Sequence, residues 1–195
     1  MKKAKVWLVS LVAICLMAVC VVDIPGKSLT EEISGIAIRQ IEEEVVLYTI
    51  HRGSYDKIGP VIGRLYALAG KKGISPRGPV YYVYLNNPNR VSNEHWLTEV
   101  RIPVSKDALK AAGTLGKMTD IKTLPATEVA VAVKPEGQAD PSGIYNKLYA
   151  WISKEGYIAT DSAREVFLSN VMSGNYAQMK TEIMIPVQKF TVDMK

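Results

Sequence analysis

Hydrophobic and polar positions divide the chain into the same order of elements twice. Residues 45–50 (VVLYTI) are β-branched and aromatic, which predicts a strand. Gly53, Gly59 and Pro60 break the pattern. Val61, Ile62, Leu65, Tyr66, Leu68 and Ala69 then recur at three- and four-residue spacings, predicting a helix that runs to about Lys72 and stops at Gly73. Pro60 suits its first turn, where the missing N–H has no intrahelical partner to lose. Residues 80–85 (VYYVYL) and 96–104 (WLTEVRIPV) predict two more strands. After a less regular stretch at 105–125, where a short helix is expected around 108–112, the order returns. A strand is expected at 129–133 (VAVAV), a helix at 145–154 stopped by Gly156, and strands at 165–168 (EVFL) and 180–187 (KTEIMIPV).

A constant offset makes this a duplication. Leu65 and Leu148, Gly73 and Gly156, Thr98-Glu99 and Thr181-Glu182, and Ile102-Pro103-Val104 and Ile185-Pro186-Val187 all stand 83 residues apart. Between the first strand and the helix the offset slips by one, since Gly53 aligns best with Gly137. One helix and three strands are too little to bury a core alone. The two units, 45–104 and 126–187, are therefore expected to join about a pseudo-twofold axis. The expected fold class is α+β: duplicated β-α-β-β units forming an antiparallel sheet, with helices on one face and a central cleft.

The N-terminus differs in kind. Residues 1–5 are basic, and residues 6–22 (VWLVSLVAICLMAVCVV) are apolar apart from Ser10. Seventeen residues is short for a membrane span and long for a signal-peptide core. The expectation is a signal-anchor or signal peptide over 1–25, a tether over 26–44, and one folded domain over 45–195. The order of preference is a retained anchor, then cleavage near 18–20, then lipidation at Cys20. Lysines on the N-terminal side place the folded part outside the cytoplasm, or secreted if the segment is cleaved.

Composition narrows the chemistry. Hydrophobic residues make up 48% and charged residues 22%, an ordinary globular balance. The net charge of +5 includes Lys2, Lys3 and Lys5, and no clustered basic stripe marks a nucleic-acid surface. Both cysteines, Cys15 and Cys20, lie in the apolar segment, so the domain has neither disulfide nor thiol chemistry. Two distant histidines suggest no metal site, and no cofactor motif or catalytic constellation is visible.

Strand alternation supplies the candidate site. Val166 and Leu168 share one face and Glu165 and Phe167 the other. Ile183 and Ile185 oppose Glu182 and Met184. If Val166, Leu168, Ile183 and Ile185 cover the helices, the opposite face gathers Tyr82, Tyr84, Glu99, Glu165, Phe167, Glu182 and Met184. An aromatic surface holding carboxylates suits a cationic, partly apolar guest, because a desolvated carboxylate is costly without a counter-charge and aromatic faces attract cations. The same residues also allow Glu99 and Glu182 to be solvated, or to pair with Arg101, Arg164 or Lys180. Tyr66, Tyr149 and Trp151 stand at core spacing on their helices, while Tyr145 and Trp151 can reach the cleft edge. His51 reads as a surface or turn residue.

The run Tyr145-x-x-Leu148-x-x-Trp151-Ile152-x-x-x-Gly156-Tyr157, followed by 164–168 (REVFL) and 181–187 (TEIMIPV), resembles the GyrI-like small-molecule-binding domain, the effector-binding half of some bacterial transcription activators. Residues 51–55 (HRGSY), Gly78-Pro79 and 98–104 show the pattern in the first unit. The resemblance covers about 45–189. It implies a central pocket in which an acidic residue matching Glu182 meets cationic aromatic ligands. It also implies toxin sequestration in some members and, in others, hydrolysis of cyclopropane-bearing genotoxins by a glutamate and an aromatic hydroxyl. Lys134-Pro135-Glu136-Gly137 replaces the family's His-x-Gly, and Phe167 stands where a tyrosine is common. The expected ligand-binding residues are Glu182, Glu99, Tyr82, Tyr84, Glu165, Phe167, Tyr145 and Trp151. The expected function is a membrane-tethered module binding amphipathic, cationic aromatic small molecules. The alternatives are a hydrolase and a protein-interaction module.

Overall fold

The computed structural model describes residues 35–169 and 178–191. Nine antiparallel strands and two α-helices alternate along it: β1 (Ile36–Ile41), β2 (Glu44–Arg52), α1 (Ile58–Lys72), β3 (Tyr81–Tyr84), β4 (Leu97–Val104), β5 (Thr119–Leu124), β6 (Thr127–Lys134), α2 (Ser142–Lys154), β7 (Tyr157–Ala159), β8 (Arg164–Phe167) and β9 (Thr181–Lys189). Both helices end at glycines in left-handed backbone, Gly73 at φ 67° and Gly156 at φ 70°, which a side chain would strain. The apolar segment 6–22 lies outside the described residues. Among those described, no helix is long and apolar enough to cross a membrane.

The strand order is β1-β6-β9-β8-β3-β4-β2-β5, with β7 added to the far end of β9. It reads the same from either end once the 83-residue offset is applied. At its centre β3 pairs with β8, placing Tyr82 directly opposite Glu165. These two residues are themselves 83 apart, so the pseudo-twofold passes through this pair. At the opposite side β1 pairs with β6 and β2 with β5 in one continuous register, Ile36 against Ala132 through Thr49 against Thr119. Two residues join β1 to β2 and two join β5 to β6, so this crossed ribbon curls the sheet.

Three strands are absent from the sequence expectation. β1 falls inside residues 26–44, expected as a tether, and β5 inside the irregular stretch 105–125. β7 adds three residues after Gly156. β1 and β5 are edge strands whose partners lie about 90 and 70 residues away, so no hairpin signal announces them. Ile36 is buried, whereas Arg39 and Gln40 are exposed, which gave this stretch its polar cast.

Both helices cover one face of the sheet. Ile58, Ile62, Leu65 and Ala69 of α1 pack on Leu47, Val100, Ile102 and Tyr82. Leu148 and Ile152 of α2 pack on Ala130, Ala132, Ile183 and Ile185. The other face, inside the curl, holds its own core of Val46, Tyr81, Val83, Val129, Val131, Val166 and Met184. Tyr149, at core spacing in the sequence, is exposed, as is Leu168, 45% accessible. Leu148→Ala should therefore cost about 2–5 kcal/mol of stability through the cavity it leaves. Leu168→Ala should change it by less than about 0.5 kcal/mol. Chemical denaturation of the two variants checks both values.

Candidate functional site

The ladder registers decide which side chains meet. Glu165 pairs with Ile183 and Phe167 with Thr181, so Glu165 and Phe167 lie on the helix-covered face with Ile183. Val166 pairs with Glu182, and Val83 with Glu99. Val166 therefore belongs to the helix-free face, and the seven residues expected together are split. Tyr82, Tyr84, Glu165 and Phe167 share the face beneath the helices. Glu99, Glu182 and Met184 share the face inside the curl. Alternation within each strand was read correctly. The relative phase of β8 and β9 was not, and a one-residue difference in register exchanges faces.

On the helix side the pseudo-twofold pair is surrounded by rings. Tyr82 meets Phe167 edge-on, with centroids 4.5 Å apart. Tyr55, in the turn before α1, stacks on Trp96 at 4.3 Å and tilts against Tyr84 at 5.2 Å. Glu165, 8% exposed, points into this cluster. The Tyr145 hydroxyl of α2 donates to Glu165 Oε1 at 2.9 Å, and the Tyr84 hydroxyl also bonds the carboxylate. Burial pushes the Glu165 carboxyl above its ordinary value, against the opposing pull of Tyr145, Tyr84 and the Lys134 ammonium. Burial and the facing carboxylate also hold the Tyr84 and Tyr145 phenols far above their usual range. Tyr55 is pushed up to about 12 for the same reasons. These phenols are protonated donors at neutral pH.

Lys134 is the charged neighbour. It is 3% exposed on β6, and its ammonium donates to the carbonyls of Gln138 at 2.9 Å and Met179 at 2.6 Å. Burial lowers its pKa, and Glu165 opposes that effect. Lys134 lies 83 residues after His51, which is half-buried in β2 and donates through Nε2 to the Ser54 carbonyl.

The carboxylates on the other face are paired within the chain. Glu99, 5% exposed, lies 2.5 Å from Arg101 Nε and 2.6 Å from Lys122 Nζ. The Arg101 partner is one of the two outcomes the sequence left open. Glu182 takes both guanidinium nitrogens of Arg39 at 2.8 Å, a partner from the stretch expected as a tether. Glu44 accepts from the Tyr81 hydroxyl at 2.7 Å and pairs with Arg164 at 3.3 Å. Trp151 of α2 stacks parallel to Tyr157 at 6.3 Å and packs against the cluster of Ile36, Ala132 and Ile152, on a different side of the helix from Tyr145. Tyr55, Trp96 and Lys134 join the site without having been named from sequence. The substitution of Lys134 for a family histidine was the available signal for the last of them. Tyr55 and Trp96 lie in turns whose folding back only the tertiary structure shows.

Among the described residues no group of three or more His, Cys, Asp or Glu side chains is arranged to hold a metal ion. What the site offers is one desolvated carboxylate, two phenol donors, one buried ammonium and an aromatic wall. Such a set can hold a flat guest through ring contacts and balance a charge, or exchange a proton.

The chain matches the GyrI-like small molecule binding domain twice, over residues 15–105 and 109–188. No curated protein sequence matches it. Among solved structures, the EcmrR C-terminal domain superposes with a TM-score of 0.66 at 18% identity, over 80% of this chain and 98% of that one. In the EcmrR–DNA complex the same match spans 57% of the EcmrR chain. A protein from Listeria innocua described as a hydrolase gives a TM-score of 0.60 at 14% identity, over 80% of this chain and 92% of that one. At these identities the structures share the fold, and the duplicated match carries the assignment: the chain belongs to the GyrI-like small-molecule-binding domain family.

Proposed function

We propose that the site around Glu165 binds amphipathic cations with an aromatic body, and that the domain acts as a scavenger or sensor tethered to the outer face of a membrane through residues 6–22. The observation that carries the ligand class is the buried Glu165 carboxylate, ringed by Tyr55, Tyr82, Tyr84 and Phe167 and hydrogen-bonded by neutral phenols. Phenols stabilise a carboxylate without cancelling its charge, and Lys134 divides its ammonium among backbone carbonyls as well. A guest cation supplies further counter-charge, and its rings replace the contacts the tyrosines make with each other. The tether rests on the sequence: lysines before an apolar run, followed by a polar stretch that leads into β1.

A second reading rests on the Tyr145 contact. A carboxylate with a raised pKa beside a neutral phenol at 2.9 Å is an acid–base pair, and the Listeria innocua neighbour is described as a hydrolase. Turnover of a cyclopropane-bearing alkylator by the wild type, lost in Tyr145→Phe with binding retained, decides for hydrolysis. Binding without turnover decides for sequestration.

Glu165→Gln should weaken binding of a cationic aromatic dye by about 10- to 100-fold, roughly 1.5–3 kcal/mol, the scale of a charge-assisted hydrogen bond. A neutral isostere should bind the variant as well as the wild type. Glu182→Gln, on the opposite face, should leave both affinities unchanged. Calorimetric titration of the three proteins reads the differences, and equal losses for both ligands would remove the charge from the argument.

The raised pKa of Glu165 sets a pH window. Cation affinity should fall as pH drops through that value, which lies above the ordinary 4.5, because protonation removes the charge. Stability runs the other way. A fold that favours the protonated carboxyl gains stability fully present below about pH 4.5 and lost as pH rises through the folded-state value. Melting temperatures of wild type and Glu165→Gln from pH 4 to 8 should therefore converge at the acid end, with the wild type falling behind as pH rises.

Lys2, Lys3 and Lys5 should hold the N-terminus inside. Reporters fused at Lys195 should be active only when they require export, and activity of a cytoplasm-only reporter would reverse the topology.

A further inference from the structure

A groove of about 290 Å³ lies on the outer flank of α1, toward the β5 edge of the sheet. Its size is at the small end of ligand sites, about 300–1,000 Å³. Val61, Leu65 and Leu68 of α1 form an apolar wall, Thr49 and His51 of β2 face it, and Arg64 and Arg52, at the end of β2, complete the lining. Around the helix, Val61, Arg64 and Leu68 share one side and Tyr66 lies on the other.

The polar groups of the groove are cationic or already engaged. Thr49 donates to the Met118 carbonyl at 3.1 Å and lies 2.7 Å from the Thr119 hydroxyl, fixing both. Arg52 and Arg64 are exposed, and neither has a carboxylate within ion-pair distance among the described residues. The nearest acid along β5, Asp120, accepts from the Gly113 amide at 2.7 Å.

The second repeat shows the same place closed. Eighty-three residues separate Leu68 from Trp151 and Arg64 from Lys147, and the same interval relates Ile36 to Thr119 and Ala132 to Thr49. There the indole of Trp151 packs in one cluster with Ile36, Ile144 and Ala132. The two halves share a backbone plan, yet one flank is filled by an indole and the other is open and lined by Arg52 and Arg64.

We infer that this groove is a second ligand site, taking a small organic carboxylate with a flat apolar body. The body would lie against Val61, Leu65 and Leu68, and the head would meet Arg52 and Arg64. Guanidinium forks match carboxylate geometry and are weakly hydrated, so they hold such an anion better than lysines do.

The test is titration of the full chain with 2-naphthoate, using 2-naphthylmethanol as the uncharged counterpart. One equivalent of naphthoate should bind, and naphthylmethanol at least ten-fold more weakly. Arg64→Gln and Arg52→Gln should each weaken naphthoate by ten-fold or more. Leu68→Trp, which copies the second repeat, should abolish binding with the melting temperature kept. Glu165→Gln should leave naphthoate binding intact. No saturable binding, equal affinity for the alcohol, or insensitivity to both arginine variants would overturn the site. Loss in Glu165→Gln would move the anion to the central cleft. Should Leu68→Trp fail to fold, the arginine variants decide alone.

Discussion

The structure depends on the ladder between β3 and β8, and within it on the pairing of Tyr82 with Glu165. A pseudo-twofold that passes through a residue pair brings each repeat's residue against its own counterpart. Had both been glutamates, two buried carboxylates would repel at contact distance; two tyrosines would leave no charge. One of each gives a single desolvated carboxylate on the helix-covered face, within reach of Tyr145 of α2. The rest follows from that placement. Tyr145 and Tyr84 satisfy the oxygens, Lys134 lies close enough to oppose the charge, and the neighbouring rings keep water away.

The two faces of the sheet handle charge in opposite ways. Inside the curl every glutamate described above has a guanidinium or ammonium within 3.3 Å: Glu99 with Arg101 and Lys122, Glu182 with Arg39, and Glu44 with Arg164. Breaking such partly buried pairs leaves an uncompensated charge, so they lock the curl's interior together. Under the helices Glu165 is held chiefly by neutral donors and retains electrostatic demand. The face that closes the fold and the face that can answer a guest are thereby separate.

Duplication supplied the scaffold, and divergence at a few matched positions decided what each half does. His51 and Lys134, Trp96 and Met179, Leu68 and Trp151, and Thr119 and Ile36 occupy the same places in the two repeats. Trp96 stacks on Tyr55 to build the first-repeat side of the central site. Trp151 and Ile36 fill the flank of α2 that Leu68 and Thr119 leave open beside α1.

The sequence by itself determined the elements with strong local periodicity. The two helices, their glycine stops, the strands β2, β3, β4, β6, β8 and β9, the 83-residue repeat and the family were all legible, because each is written in neighbouring residues or in a constant spacing. It also named Glu165, Tyr145, Tyr82, Tyr84 and Phe167 among the candidate residues. Only the tertiary structure decided that Glu99 and Glu182 lie on the other side of the sheet. Alternation says which residues of one strand share a face, but the phase between two strands is set by hydrogen-bond register, and a slip of one residue reverses it. The edge strands β1 and β5 escaped for a related reason. Their pairing energy comes from partners some 70 to 90 residues away, and nothing in their own few residues records it.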